Sequence, residues 1–320
     1  MRNSSLATTS GSNNNNNNDP AEQNKNFSGN FVVESAEYTL ILPDINAQPP
    51  DFRDFLKKDL IETSTLFSLE LAGRLNWWVD LGVCRRLFPL VTIGDGNCLL
   101  HAASLALFGV HDNRLVLRQA LSKMMCQSSL KDAFFRRWRW HQTIINKQSE
   151  LVYTEDEWMA EWLNLGKLAS TQPRVPSLPP NQQPHLNDQS LFFNNNNSNN
   201  VDNSDEILYE SLEELHVFVL AHVLKRTIII IADTILKNLN GEPLAPISFG
   251  GIYLPLELPP EECHRSPLLL TYDAAHFSAL VPMENTTEIV CLADAVPLVD
   301  PDFELLPVHF AYDPGPDYQW

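Results

Sequence analysis

The chain contains few cysteines, and their spacing excludes two kinds of site. Its 320 residues include five cysteines, an odd number, and no two of them form a C-x-x-C pair. A disulfide framework needs an even set of cysteines, and a structural zinc site needs closely spaced ligand pairs. The adjacent Cys263 and His264 have no second pair nearby. The sequence therefore predicts neither a disulfide framework nor a metal site.

Long apolar runs and excess positive charge are also lacking. No apolar run approaches the roughly 18 residues of a membrane-spanning helix, and the Asn-rich N-terminus has no apolar segment of the kind found in secretion signals. The chain has 22 Lys and Arg against 40 Asp and Glu, a net charge of −18. Because phosphate binding needs a basic surface, we do not expect nucleic acid as a partner. Because no apolar run is long enough to span a membrane, we do not expect a membrane as a partner.

Two stretches are too polar to form a core. Residues 1–35 are rich in Asn, Ser and Thr, and a stretch at about 173–205 is rich in Pro, Gln and Asn. Segments of this composition bury too little apolar surface to offset the entropy lost on folding. We therefore predict a disordered N-terminal arm and a second flexible segment.

The most informative feature that is present is the run Gly94-Asp95-Gly96-Asn97-Cys98-Leu99-Leu100-His101. Polar, flexible residues lead to a cysteine, and an apolar, helix-like stretch follows. The pattern predicts a loop that places a thiol in the first turn of a buried helix. Far downstream, a single histidine, His276, lies between two strand-like runs. A cysteine and a histidine on separate ordered elements are typical of a thiol nucleophile and its base.

Taken alone, one cysteine and one histidine more often indicate a buried structural cysteine and a surface histidine. The residues around Cys98 favour catalysis, because a helix N-terminus carries partial positive charge and outward-pointing N–H groups. These predict a lowered pKa for the Cys98 thiol and an oxyanion site formed by the loop Gly94, Asp95, Gly96 and Asn97. The two glycines would let loop amides approach a substrate, and Asp95 would fix the loop by accepting amide hydrogen bonds.

Helical patterns dominate the first half of the chain, and strand patterns dominate the second. Capping boxes are predicted at Thr154–Glu157 and at Ser211–Glu214. Apolar runs predict strands at 228–231, 251–256, 268–272 and 277–281. The expected fold class is α+β, close to α/β, with helices around a small central sheet.

Two further features have simple structural explanations. The basic run Arg136-Arg137-Trp138-Arg139-Trp140 could contact an acidic partner, but ion pairs with the chain's own carboxylates are the favoured explanation. His216 and His222 lie six residues apart on a predicted helix and do not share a face. We therefore interpret both histidines as packing residues.

Several ordered segments together resemble one known family. The cysteine run and the later His276-Phe277-Ser278-Ala279-Leu280 are similar to the ovarian tumour (OTU) family of cysteine deubiquitinases. Further segments resemble its Cezanne branch: 73–78, 136–140, 151–158, 213–222 and 250–257. The resemblance spans most of residues 51–320 and continues on both sides of 173–205. We therefore interpret that stretch as a flexible insertion within one OTU-type, papain-like catalytic domain, 36–320.

The resemblance implies roles for particular residues. Cys98 matches the nucleophile, His276 the general base and Asp95 the acidic residue of the catalytic loop. Many relatives place Asp or Asn two residues after the histidine to orient its ring, whereas this chain has Ser278. The orienting group is then Ser278, Thr92 or a backbone carbonyl, with Thr92 favoured. Asp273, three residues before His276, lies roughly 10 Å away along an extended strand and is a weaker candidate.

The resemblance implies a cysteine protease that hydrolyses isopeptide bonds in polyubiquitin chains through a thioester. The Cezanne branch implies chains linked through lysine eleven of ubiquitin. Such chemistry needs no cofactor, and the partners would be ubiquitin and its chains. We expect a monomer in the cytoplasm, with the nucleus as a second location. The alternatives are a ubiquitin-binding module with little or no activity and a cysteine hydrolase for another modifier.

Overall fold

The computed structural model describes residues 31–174, 207–237, 241–284 and 295–320. Within these ranges, seven helices of at least nine residues accompany two short 3-10 turns. The helices are α1 Pro50–Leu60, α2 Thr63–Leu71, α3 Cys98–Phe108, α4 Val116–Gln127, α5 Lys131–Gln148, α6 Glu155–Leu168 and α7 Glu214–Val223. The strands are β1 Leu87–Pro89, β2 Arg226–Ala232, β3 Ile235–Lys237, β4 Pro243–Pro246, β5 Gly251–Tyr253, β6 His264–Asp273 and β7 His276–Pro282.

A five-stranded mixed sheet lies at the centre, in the order β1-β7-β6-β2-β5. Only the β2–β6 pair is parallel; β1–β7, β6–β7 and β2–β5 are antiparallel. A separate two-stranded sheet pairs β3 with β4. The predicted fold class, helices around a small central sheet, is confirmed.

Both faces of the central sheet are covered, which explains the uninterrupted apolar run in β2. Ile228 and Ile230 point into the larger core, which contains α3, α4 and α7. Ile229 and Ile231 point into a smaller core on the other face, with Trp78. Successive strand residues point to opposite faces, so a strand buried on both sides has no polar alternation.

The predicted strands are present, with different ends. β5 stops at Tyr253 rather than 256, because Pro255 cannot donate to a strand ladder. The capping box at Thr154 is confirmed: its hydroxyl accepts from the Glu157 amide, and its amide donates to the Glu157 carboxylate. The box predicted at Ser211 is wrong, since the N-cap of α7 is Glu213 and its partner is His216.

The arginines at 136, 137 and 139 on α5 form ion pairs with the chain's own carboxylates, as expected from the sequence. Arg136 binds Asp313 at 2.7 Å, and Arg137 and Arg139 lie 2.5 Å from the carboxylates of Glu257 and Glu155, respectively. No helix of the described residues is long and apolar enough to cross a membrane. Among the same residues, no cluster of three or more His, Cys, Asp and Glu side chains is placed to hold a metal.

The predicted arm and insertion lie mostly outside the described residues. Of the arm, residues 31–35 are described and contact the domain: Phe31 is buried, and the Val33 amide donates to the Val223 carbonyl at 2.9 Å. Beside the insertion, the Arg174 amide donates to the Leu208 carbonyl at 2.6 Å. The two described ends that flank residues 175–206 therefore lie next to each other.

Replacing residues 175–206 by a linker of a few Gly and Ser residues is expected to leave a folded and active protein. The Arg174–Leu208 hydrogen bond already holds the two ends together, so a short linker closes the gap with little change in loop entropy. Thermal unfolding and turnover compared with the full chain test this. An insoluble product would show that the replaced segment packs on the domain.

His216 and His222 are buried in α7 and neutral, as the packing interpretation requires. The His216 ring accepts from the Glu213 amide at 2.9 Å and donates to the Leu165 carbonyl at 2.9 Å. The His222 ring donates to the Phe218 carbonyl at 2.8 Å and accepts from the Glu257 amide at 3.2 Å. Burial lowers the pKa of each imidazole to about 4.

The free energy of unfolding is expected to fall between pH 7 and pH 5. Below pH 6.5 the unfolded chain protonates both histidines, whereas the folded chain keeps them neutral until about pH 4. Protons then favour the unfolded state, at a cost of about 2 kcal/mol per histidine at pH 5. Urea unfolding at both pH values measures the loss, and His216→Gln should remove the part that comes from His216, about 2 kcal/mol at pH 5. Equal stability at the two values would contradict the neutral assignment.

Candidate active site

Cys98 is the first residue of α3, as the sequence predicts. The preceding Gly94–Asn97 segment forms a loop, and the eleven-residue helix that follows is almost wholly buried. α3 ends at Phe108, where Gly109 adopts a φ of 70° and donates its amide to the Leu105 carbonyl. This apolar helix packs against β6 and β7, so its N-terminus holds the thiol beside the edge of the β6–β7 hairpin.

The pKa of the Cys98 thiol differs from the prediction. Burial raises the pKa, and the nearby Asp95 carboxylate adds to the rise. The backbone N–H groups of Phe277 and Leu99 point to the sulfur and act in the opposite direction, but burial dominates. The predicted lowering is therefore wrong for the free protein. A thiol that is neutral at rest needs a base to remove its proton during attack.

His276 is the first residue of β7 and lies opposite Asp273 across the β6–β7 hairpin. The two-residue turn between the strands is Ala274-Ala275, with φ of 47° and 61°. Turns of this kind favour Asn and Gly, and positive φ costs roughly 1 kcal/mol or more for other residues. The hairpin thus holds the histidine on a tight, strained turn, a feature that the sequence pattern does not reveal.

The imidazole of His276 is oriented by a backbone carbonyl. Its Nε2 lies 3.1 Å from the carbonyl oxygen of Thr92. Because a carbonyl only accepts, we assign the ring proton to Nε2, which leaves Nδ1 as the basic nitrogen. A Cβ built on Gly94 would lie 3.8 Å from Nδ1, so the imidazole lies against the catalytic loop. Phe277, the next residue along β7, directs its amide to the Cys98 sulfur.

None of the side chains considered as the orienting group contacts the imidazole through a hydrogen bond. The Thr92 hydroxyl donates to the Leu90 carbonyl at 3.1 Å. The Ser278 hydroxyl is buried without a partner among the described residues. Asp273 accepts from the Ser68 hydroxyl at 3.2 Å. Of the three alternatives left open by the sequence, the geometry supports orientation of the imidazole by a backbone carbonyl. The sequence favours the Thr92 side chain, but its hydroxyl bonds elsewhere.

Ser278→Ala and Thr92→Ala are both expected to retain kcat to within about threefold, because neither hydroxyl forms a hydrogen bond with the imidazole and none is lost in the transition state. Thr92→Ala should also lower stability slightly, since it removes the bond to Leu90. Single-turnover rates of both variants and of His276→Ala test this. A large loss for either hydroxyl variant, with the fold intact, would contradict orientation by the carbonyl.

Asp95 shapes the catalytic loop, residues 94–97, as predicted. Its carboxylate accepts from the Asn97 amide at 2.8 Å, and its other oxygen lies 3.2 Å from Nε2 of the buried His101. Its own carbonyl accepts from the Tyr209 amide at 2.8 Å. Asp95 thus connects the loop to α3 and to the segment that precedes α7.

Gly96 and Asn97 have different surroundings from those predicted. Gly96 has a φ of 86°, and a Cβ there would lie 2.0 Å from the Tyr209 carbonyl oxygen. The close approach at this position is therefore to the protein's own backbone, a contact that the sequence did not predict. The Asn97 side chain is buried and accepts from Arg118 at 3.0 Å, so it faces the protein interior.

Sequence reasoning missed three residues that support the loop: His101, Arg118 and Tyr209. The buried position of Arg118 could have been predicted from the sequence. Its neighbours on α4 include the apolar Leu117 and Leu121, and both are buried. A charged residue on an apolar helix face indicates a buried polar contact. Tyr209 acts mainly through its backbone and has no comparable signal.

Known proteins are similar to this chain over most of its length. The family model described as OTU-like cysteine protease matches residues 93–277. The chain is 38% identical over 273 residues to tumor necrosis factor alpha-induced protein 3 of Mus musculus and of Homo sapiens, covering 83% of this chain and 31% and 30% of those proteins. It is 31% identical over 282 residues to ubiquitin thioesterase trabid of Drosophila melanogaster, covering 85% of this chain and 31% of that protein.

The chain spans about 30% of the length of these curated relatives. The matched residues 93–277 include both Cys98 and His276. On the family match and these identities, the chain belongs to the OTU-like cysteine protease family.

Proposed function

We propose that this protein is a deubiquitinase that hydrolyses isopeptide bonds in polyubiquitin chains, with Cys98 as the nucleophile and His276 as the base. The observation that carries the proposal is the meeting of two distant elements. The N-terminus of α3 presents the thiol, and β7 presents an imidazole whose Nε2 is held by the Thr92 carbonyl. The Phe277 amide, adjacent to His276, points to the sulfur.

In the proposed reaction, Nδ1 of His276 takes the Cys98 proton as the sulfur attacks the carbonyl carbon of the ubiquitin C-terminal glycine. Because burial raises the pKa of the thiol, proton transfer accompanies attack, and a resting ion pair is disfavoured. The resulting imidazolium protonates the leaving lysine amine, and a thioester remains. Water then attacks the thioester, with His276 again as base, and releases the ubiquitin carboxylate and the free thiol.

The oxyanion formed in each step needs donors near the sulfur. The Asn97 amide is already donated to Asp95. The Leu99 amide points to the sulfur, and the Leu100 amide donates to the Asn97 carbonyl at 3.0 Å. We therefore assign the oxyanion to the Cys98 amide at the start of α3. The first N–H groups of a helix lack an intrahelical acceptor, and they favour negative charge. Asp95 and Gly96 contribute by holding the loop in place.

The substrate class rests on the family and on one relative's name, ubiquitin thioesterase. The net charge of −18 is compatible with a basic partner surface. Incubation with ubiquitin that carries a C-terminal propargylamide tests the proposal. We expect one covalent adduct, located on Cys98 and missing in Cys98→Ala, whereas the exposed Cys126 should not react. No adduct on a folded protein would favour the alternative of a binding module.

We also propose that chains linked through lysine eleven are the preferred substrate, a property implied by the resemblance to the Cezanne branch. Di-ubiquitin of every linkage, at equal concentration, measures the preference. Faster cleavage of another linkage would contradict it. A parallel panel of other ubiquitin-like modifiers separates a deubiquitinase from a hydrolase of another modifier, the second alternative.

A further inference from the structure

Arg118 on α4 is fully buried, and all five N–H donors of its guanidinium are used. Its Nε donates to the Ser170 carbonyl at 2.7 Å, and its Nη2 donates to the carbonyls of Leu168 at 2.6 Å and Glu210 at 2.7 Å. Its Nη1 donates to the catalytic loop, to the Asn97 side chain at 3.0 Å and to the Gly96 carbonyl at 3.4 Å. None of these acceptors is a carboxylate.

The acceptors come from three separate parts of the chain. Gly96 and Asn97 belong to the catalytic loop, Leu168 and Ser170 to the end of α6, and Glu210 to the segment before α7. Tyr209, next to Glu210, reinforces the same contact: its ring lies 5.2 Å from the guanidinium, and its carbonyl packs against Gly96. One side chain therefore fixes the loop that precedes Cys98 relative to two neighbouring segments.

We propose that Arg118 is a positioning residue for the reaction: it holds Gly96 and Asn97 so that the Cys98 amide, which follows them, meets the developing oxyanion. The role rests on the proposed hydrolysis, because only an acyl substrate forms that oxyanion. Arg118 itself does not touch substrate, since its donors are all directed to the protein. Its planar, five-donor group suits five fixed acceptors, whereas a lysine has three donors and leaves acceptors unpaired.

Arg226 provides a matched control for a purely structural role. It is also fully buried and donates to backbone carbonyls, those of Ala36, Glu37 and Ser266. Arg226 lies opposite His264, at the start of β6. The catalytic His276 lies opposite Asp273, at the other end of β6, so Arg226 is remote from the site. Replacing Arg226 should therefore lower stability without disturbing the catalytic loop.

Two measurements on Arg118→Lys, Arg118→Met and Arg226→Met separate the roles. The first is kcat and KM for a fluorogenic ubiquitin C-terminal amide, and the second is the rate of Cys98 alkylation by iodoacetamide. For the Arg118 variants we expect kcat to fall about 100-fold, the effect of losing an oxyanion donor, with KM within about threefold. Alkylation should keep its rate, because attack on iodoacetamide forms no oxyanion. Arg226→Met should melt at a lower temperature with kcat unchanged.

Asn97→Ala removes the same contact from the loop side and decides the question if the Arg118 variants fail to fold. It should lower kcat by a similar factor, and the double variant with Arg118→Lys should be no worse than either single one. Folded variants with wild-type kcat, or alkylation that falls in parallel with kcat, would overturn the positioning role. A wild-type protein that is alkylated normally but does not cleave the ubiquitin amide would instead contradict the proposed function.

Discussion

Cys98→Ala is expected to abolish cleavage of ubiquitin chains while leaving the protein folded. Without the sulfur no thioester forms, and removal of a nucleophile of this kind costs at least about 10⁴-fold in kcat. The fold should tolerate the change, because alanine is favourable in a helix and the Asn97 side chain makes no capping bond that depends on the thiol. Turnover of di-ubiquitin and the melting temperature are the two measurements.

The matched controls for this prediction are the other cysteines. Cys84 is buried in the smaller core, Cys126 is exposed, and Cys263 precedes β6. Replacement of each by alanine should leave kcat unchanged, with some loss of stability at Cys84. Cys291 lies outside the described residues, and the same result is expected there. Undiminished turnover by Cys98→Ala would exclude the mechanism, whatever the behaviour of the controls.

The second large effect is expected from Gly96→Ala, which should lower kcat about 100-fold, the cost of a displaced oxyanion donor. A Cβ at residue 96 would lie 2.0 Å from the Tyr209 carbonyl oxygen, and the φ of 86° disfavours any side chain. The loop must therefore move away from Tyr209, and the Asn97 and Cys98 amides move with it. Turnover and melting temperature of the variant test the effect.

Gly94→Ala is the control in the same loop. Its Cβ would lie 3.7 Å and 3.8 Å from two atoms of the His276 ring, which is ordinary van der Waals contact, and its φ is not positive. We expect the kcat of this variant to stay within about threefold of the wild-type value. No atom has to move to accommodate the methyl group, so the activation free energy should hardly change. Equal losses at the two glycines would show that side-chain bulk near the loop, rather than the contact with Tyr209, limits the rate.

Several parts of the site could be predicted from local sequence alone. The start of α3 at Cys98 follows from four loop-forming residues followed by a continuous apolar run, and the strand containing His276 follows from a short apolar run. Each pattern depends on residues close in the chain, which determine local backbone preference and which side chains must be buried. The choice of Cys98 and His276 as the reacting pair needed only those patterns and the family resemblance.

The chemical state of the site depended on contacts between distant segments. The thiol pKa was predicted from the helix N-terminus alone, whereas packing of α3 against β6 and β7 buries the sulfur and raises its pKa. Desolvation depends on every segment that covers a group, and a local motif does not contain that information. The prediction therefore had the wrong sign although the residue was correctly chosen.

The sequence by itself determined the fold class, the family, and the nucleophile and base assigned to the site. Only the tertiary structure decided what holds the pair in place: the Thr92 carbonyl on the imidazole, the Tyr209 backbone against Gly96, and the Arg118 guanidinium on the loop. The reason is physical. Two of these three groups are backbone atoms, which every residue carries, so their role depends on position in space and leaves no residue-specific pattern in the sequence.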